Sequence, residues 1–196
     1  MSDVHATSTD PSNPQLHEMI LGAGCFWCVE AVFKELKGVH HVEPGYAGGD
    51  MQNPSYEQVC TGRTGHAEVI RLLYDPTMIG FEQLLEVFFH VHDPTTKNRQ
   101  GADVGPQYRS VVFYHHEDEK KRAEAKLREV DQRDLWREPI VTTLEPVKNY
   151  ATAENYHHDY YARHGGQPYC SMVIAPKVKK FRAVFAHLLK ETTGSA

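Results

Sequence analysis

A chain of 196 residues, 40% hydrophobic and 24% charged, is long enough for one domain with a core of its own. A formal net charge of -5 with no basic stripe argues against nucleic acid as a partner, and no apolar run approaches the roughly 20 residues of a membrane span. Four cysteines in a chain this long do not make a disulfide scaffold; they suit a reducing compartment, where cysteines are buried, catalytic or metal-binding. The opening stretch MSDVHATSTDPSNP is polar and lacks the apolar core of a secretory signal. The expectation is a cytoplasmic protein with a disordered tail over 1–15, a single domain over 16–190 and a flexible tail over 191–196.

In chain order, Met19-Ile20-Leu21 reads as a short strand ended by Gly22-Ala23-Gly24. Phe26, Val29, Phe33 and Leu36 then follow at helical spacing, with Gly38 closing the helix. Val39 to Tyr46 is a second strand, and His66 to Tyr74 a third that Asp75-Pro76 stops. Phe81, Leu84, Leu85 and Phe88 mark the apolar face of a second helix. A long loop from Asp93 to Gln107 leads into a fourth strand, Tyr108 to Tyr114, and a charged helix from about Glu117 turns Ala123, Leu127 and Val130 inward. A last helix opens on Pro176 and carries Val178, Phe181, Phe185 and Leu188 on one stripe. Strand, helix, strand, strand, helix, strand is the split βαβ order. It predicts an α/β (α+β) two-layer sandwich with a ferredoxin-like core and C-terminal extensions.

The chemistry concentrates in Gly22-Ala23-Gly24-Cys25-Phe26-Trp27-Cys28, where strand turns into helix. Cys25 falls at the helix N-terminus, whose unpaired N–H groups favour an anion. A lowered thiol pKa and a sulfur open to solvent are therefore expected. Phe26 fits the core stripe; Trp27 does not, and it is expected to line a pocket whose aromatic wall suits an S-methyl group. Cys25 and Cys28, three residues apart on a helix, have Cα atoms about 5 Å apart, within the reach of a disulfide. Zinc is the structural alternative, but no second C-x-x-C exists, and His115-His116 and His157-His158 are adjacent rather than spaced pairs.

Four stretches, GCFWC, GYAGG with NPSYEQVCTGRTGHAEV, HDPTTKNRQGADVGPQYRS and AENYHHDYY, resemble the peptide-methionine (S)-S-oxide reductases of the A type. The resemblance runs from Leu21 to about Lys180. It implies an α/β sandwich, reduction of methionine S-sulfoxide, free or in proteins, and thioredoxin as the reductant. It further implies Cys25 as nucleophile, Phe26 and Trp27 as pocket aromatics, and Glu68 as general acid. Tyr56 and Tyr108 would hold the oxygen, with Asp103 near the substrate main chain and His157 in support. No cofactor or metal is implied, and the expected form is a monomer that repairs oxidised proteins.

From the residues alone, Glu68 stands in phase with Ile70, Leu72 and Tyr74, where desolvation would keep it protonated. Val69 and Leu73 blur that alternation and leave a solvated strand-end carboxylate open. Without the resemblance, Tyr56 and Tyr108 read first as ordinary half-buried tyrosines, Asp103 as a turn residue and His157 as a surface histidine. The chain departs from the family pattern at Cys28, where glycine is commoner and the resolving thiol comes from the C-terminal segment. Here both exist: Cys28, favoured because it needs no loop movement, and Cys170, in a stretch expected to be flexible. Cys60 is expected to be a buried structural cysteine. A general thiol–disulfide oxidoreductase built on Cys25 and Cys28 is the competing enzyme.

Overall fold

The computed structural model describes residues 15–191, so the tails expected at the two ends, apart from Gln15 and Glu191, lie outside the described residues. The chain runs β1 (His17–Ala23), α1 (Phe26–Phe33), β2 (Val39–Ala47), α2 (Tyr56–Cys60), β3 (Ala67–Tyr74), α3 (Phe81–Val91) and a two-residue hairpin, β4 (Arg99–Gln100) with β5 (Asp103–Val104). It continues through β6 (Ser110–Tyr114), α4 (Glu117–Asp131), β7 (Thr143–Pro146), β8 (Ala151–Thr152), α5 (Tyr160–His164) and α6 (Ala175–Val184).

The six-stranded sheet has the order β7-β6-β1-β3-β2-β8. Its central four strands, β6-β1-β3-β2, are antiparallel neighbours and reproduce the split βαβ core read from the sequence. The additions are edge strands: β7 lies parallel to β6 after α4 crosses over, and β8 pairs with β2. Both were missed in the sequence because strands of four and two residues carry no readable alternation.

Alternation of side chains divides the sheet into two faces. Met19, Leu21, Ile70, Leu72 and Val112 meet α1, α3, α4 and α6 in the main core, while Ile20, Val69, Val111 and Phe113 form a smaller cluster under Val147 and Tyr150. Glu68 follows the parity of Ile70 and Leu72, so it points towards the helices, opposite Tyr46 in the register. This parity brings a carboxyl under the start of α1.

Two boundaries differ from the sequence reading. The fourth strand starts at Ser110, because Gly105 (φ 147°) and Pro106 fold the preceding residues into a 3-10 turn over Pro106–Tyr108. Nor does the last helix start at Pro176. Helical turns begin at residue 168 and pass through a π-helical turn, Cys170–Ile174, in which the Ala175 N–H donates back to the Cys170 carbonyl. A proline within a helix offers no N–H to the carbonyl four residues earlier, and one wider turn absorbs that defect.

Candidate active site

Gly24 takes φ +85°, a left-handed conformation suited to glycine, and a Cβ there would meet the Gln100 side chain at 2.6 Å. The turn sets Cys25 at the N-cap of α1. The first helical N–H, that of Phe26, donates to Glu68 Oε2 at 3.1 Å. Glu68 is 2% exposed. Burial pushes its carboxyl up to about 8, against the opposing pull of the Phe26 N–H, so it holds a proton at neutral pH. The strand-end reading of Glu68 is thereby replaced by a buried acid.

Cys25 is neither open to solvent nor acidic, as its place at a helix start had suggested. It is 8% exposed, and burial pushes its thiol well above the ordinary value, helped by a hydrogen bond with Cys28 and by the charge of Glu68. Loss of water outweighs the partial charge of a helix terminus, and the carboxyl of Glu68 has taken the first N–H. The acidic partner is Cys28, which the hydrogen bond from Cys25 draws down to about 7 against its own burial. All four cysteines are free thiols.

Aromatic groups enclose the dithiol. Phe26 is buried among Tyr46, Tyr56 and His157, the last with ring centroids 4.9 Å away. Trp27 donates from Nε1 to His157 Nδ1 at 3.1 Å. His157 is thus a fully buried partner of Trp27, not a surface histidine. Trp27 does not line an open pocket: Tyr160 stacks on it at 3.7 Å with the rings nearly parallel, and Tyr169 meets it edge-on at 5.8 Å. Tyr56 and Tyr108 are half-buried, and burial together with the charge of Glu68 holds both phenols above their ordinary range, so both remain donors. Asp103, brought in by the β4–β5 hairpin, accepts from the Tyr169 hydroxyl at 3.0 Å.

All the residues expected at the site therefore surround one point at the start of α1. The remaining thiols differ from expectation. Cys60 is exposed, because the single turn of α2 turns Val59 inward and the next residue outward. Cys170 is fully buried in the helical run 168–184, where the stretch had been expected to be flexible. Among the described residues no three His, Cys, Asp or Glu side chains converge as a metal site. Nor, among the described residues, is any helix long and apolar enough to cross a membrane. A cleft of about 450 Å³ lined by Phe89, His92, Trp136, Lys177, Phe181 and Phe185 lies outside the dithiol, whose own surroundings the C-terminal segment fills.

Four neighbours escaped the sequence reading. Glu154 accepts from the Tyr56 N–H at 2.8 Å and the Tyr46 hydroxyl at 2.7 Å, tying β2, α2 and the His157 turn together. Tyr46 carried no signal beyond β-strand parity, and Tyr160 and Tyr169 none at all, since their contacts with Trp27 span more than a hundred residues of chain. Ser55 and Gln58 do form a capping box, a four-residue pattern that would have revealed α2 and with it the placing of Tyr56.

Two thiols that can supply a pair of electrons, beside a carboxyl that can supply a proton, make the chemistry of a thiol-dependent oxidoreductase. A family model described as peptide methionine sulfoxide reductase matches residues 17–189. The chain is 53% identical over 170 residues to the peptide methionine sulfoxide reductase MsrA of Saccharolobus solfataricus, covering 87% of this chain and 95% of that one. It is 52% identical to an MsrA of Thermus thermophilus, over 87% and 96% of the two chains. Among solved structures, reduced Mxr1 from Saccharomyces cerevisiae is similar with a TM-score of 0.72 at 34% identity, over 82% of this chain and 91% of that one. Methionine sulfoxide reductase A of Corynebacterium diphtheriae gives 0.72 at 35% identity, over 78% and 76%. The chain belongs to the peptide methionine sulfoxide reductase family, and it is an oxidoreductase of the MsrA type.

Proposed function

We propose that the protein reduces methionine S-sulfoxide, free or in proteins, with Cys25 as nucleophile, and so repairs oxidised proteins. The observation that carries the reading is the buried Glu68 carboxyl, protonated at neutral pH and bonded to the first N–H of the helix that bears the dithiol. Thiol–disulfide exchange has no oxygen to protonate as it leaves sulfur, whereas a sulfoxide does.

Cys25 attacks the electrophilic sulfur of the sulfoxide, and its electron pair forms the new S–S linkage. Glu68 delivers a proton to the sulfoxide oxygen while Tyr56 and Tyr108 donate to it, lowering the cost of the charge that develops there. The protonated oxygen then passes from the methionine sulfur to the Cys25 sulfur: the S–S linkage and the methionine S–O bond break, and the Cys25 S–O bond forms. Methionine leaves as the thioether, and the proton displaced from the Cys25 thiol restores Glu68, so that Cys25 is left as a sulfenic acid. The balance is one thiol and one sulfoxide giving one sulfenic acid and one thioether. Cys28, the more acidic thiol, then attacks the Cys25 sulfur; water leaves and a disulfide forms. Thioredoxin supplies two electrons by exchange and restores the dithiol. Phe26 and Trp27 would receive the S-methyl group and Asp103 the substrate main chain, which requires Tyr160 and Tyr169 to withdraw. Four free thiols suit the reducing cytoplasm as the place of action.

The test is a single turnover of each epimer of a methionine sulfoxide peptide with the reduced protein, methionine being separated by chromatography. Consumption of the S epimer with the R epimer left intact is the expected result. No methionine from either epimer would overturn the reading.

A further inference from the structure

In the steps just set out Tyr169 only withdraws to admit substrate, yet in the closed site its hydroxyl reaches both Asp103 and Cys28. It stands in the helical run 168–184, one residue before Cys170. Its hydroxyl donates to Asp103 Oδ2 at 3.0 Å and lies 3.9 Å from Cys28 Sγ, within the reach of a sulfur hydrogen bond in which either atom can be the donor. Burial lifts the phenol well above its ordinary range, so this hydroxyl keeps its proton.

A phenol has one proton to donate and lone pairs with which to accept. While Cys28 is a thiol, its S–H can donate to the Tyr169 oxygen and the tyrosine proton can rest on Asp103, so that every group is satisfied. A Cys28 thiolate has no proton to offer and becomes a strong acceptor, and hydrogen bonds to ionised groups are about twice as strong as neutral ones. The two competitors for the proton are unequal. Asp103 is half-exposed and can turn to water, whereas Cys28 is 3% exposed and has little water to turn to.

We infer that Tyr169 is a positioning residue for the resolving thiol. Its single proton is held by Asp103 while Cys28 is a thiol, and swings into a hydrogen bond with the Cys28 sulfur when that sulfur is charged. No covalent bond changes in this step. It deepens the function proposed above and rests on that reading for the role of Cys28, since it makes the thiolate that attacks the Cys25 sulfenic acid available near neutral pH inside a dry site.

Other groups bear on the same sulfur pair. Glu68 of β3, Tyr108, Tyr160 of α5 and Cys170 face it, with Lys177 of α6 pulling Cys28 down and Asp103 of β5 pushing it up. All except the two residues under test stay constant between the variants, so differences isolate Tyr169 and Asp103.

The experiment uses the full chain, reduced, carrying Cys60→Ser to remove the exposed thiol. Thiolate absorbance in the ultraviolet follows the first proton lost by the dithiol as pH rises, with no substrate present. Tyr169→Phe should raise the proton affinity of that step about tenfold, the scale of one hydrogen bond to a charged group. Asp103→Asn should lower it, and most of that effect should vanish when residue 169 is Phe. An unmoved midpoint in Tyr169→Phe overturns the inference. So does an Asp103→Asn effect that persists in full in the double variant, since Asp103 would then act by its field alone. Alkylation of Cys170, fully buried in the parent, checks the helix: a reactive Cys170 in Tyr169→Phe would make the tyrosine a packing residue and count against the inference. The Asp103→Asn arm leaves that packing untouched. Sulfoxide turnover of the same preparations reports separately on the proposed function.

Discussion

Glu68→Gln keeps the shape of the side chain and leaves an oxygen to accept the Phe26 N–H, but it removes the proton. At pH 7 a carboxyl with a pKa of about 8 is protonated by about ten to one, so the parent enzyme holds the acid ready in nearly every molecule. General acid catalysis is worth about 10²–10⁴-fold, and the single-turnover release of methionine should slow by that factor while the fold persists. The parent rate should fall as pH rises through about 8, where Glu68 loses its proton; the variant should lack that limb.

The same residue has a cost in stability, with a definite sign. Its folded pKa is raised above that of the unfolded chain, so the folded state binds the extra proton between the ordinary carboxyl range and about 8. The stabilisation linked to that proton is complete at acid pH and is lost as pH rises through about 8. Each tenfold in proton affinity is worth about 1.4 kcal/mol, which sets an upper limit of about 5 kcal/mol on the loss. Glu68→Gln should therefore gain in Tm over the parent as pH rises from about 5 to about 8, while being the slower enzyme. Unchanged methionine release would refute the reasoning, as would a Tm difference that does not vary with pH.

Other outcomes follow from the same geometry. Cys25→Ser should abolish sulfoxide reduction, because a hydroxyl is a far weaker nucleophile than sulfur and cannot take the oxygen as a sulfenic acid; substantial turnover by chromatographic assay would count against Cys25. Cys28→Ser should release about one methionine per enzyme and then stall with thioredoxin as the only reductant, whereas Cys170→Ser should keep cycling. The reverse pattern would move the resolving step to the C-terminal helix. Phe33→Ala, at a side chain with no exposed surface in the main core, should cost about 3–5 kcal/mol in denaturant unfolding; a cost below about 1 kcal/mol would mean that the core there is not packed as described.

The central fold was legible because its signals are local. Each of β1, β2 and β3 ends in glycines or at Asp75-Pro76, each main helix shows its apolar spacing, and their order alone specifies the split βαβ core. The turn Gly22-Ala23-Gly24 set Cys25 at a helix start, whereas the phase of Glu68 with Ile70 and Leu72 was blurred by Val69 and Leu73 and left its burial open. The edge strands were not legible, because two to four residues hold no periodicity. Pro176 was misleading, because a proline marks a helix start only when no earlier turn packs well enough to tolerate it.

By itself the sequence placed Cys25 and Cys28 at the start of a helix and Glu68 on a strand, while Tyr56, Tyr108, Asp103 and His157 stood out only through the family resemblance. Only the tertiary structure decided their states. Whether Cys25 is more or less acidic than an ordinary thiol depends on how much water reaches it, and the segment that excludes the water lies more than a hundred residues further along the chain. Whether Trp27 is an open wall depends on Tyr160, and whether Cys60 is exposed depends on the phase of a single helical turn. Desolvation and hydrogen bonding act through space, so local pattern can place a titratable group on an element without setting the direction of its shift.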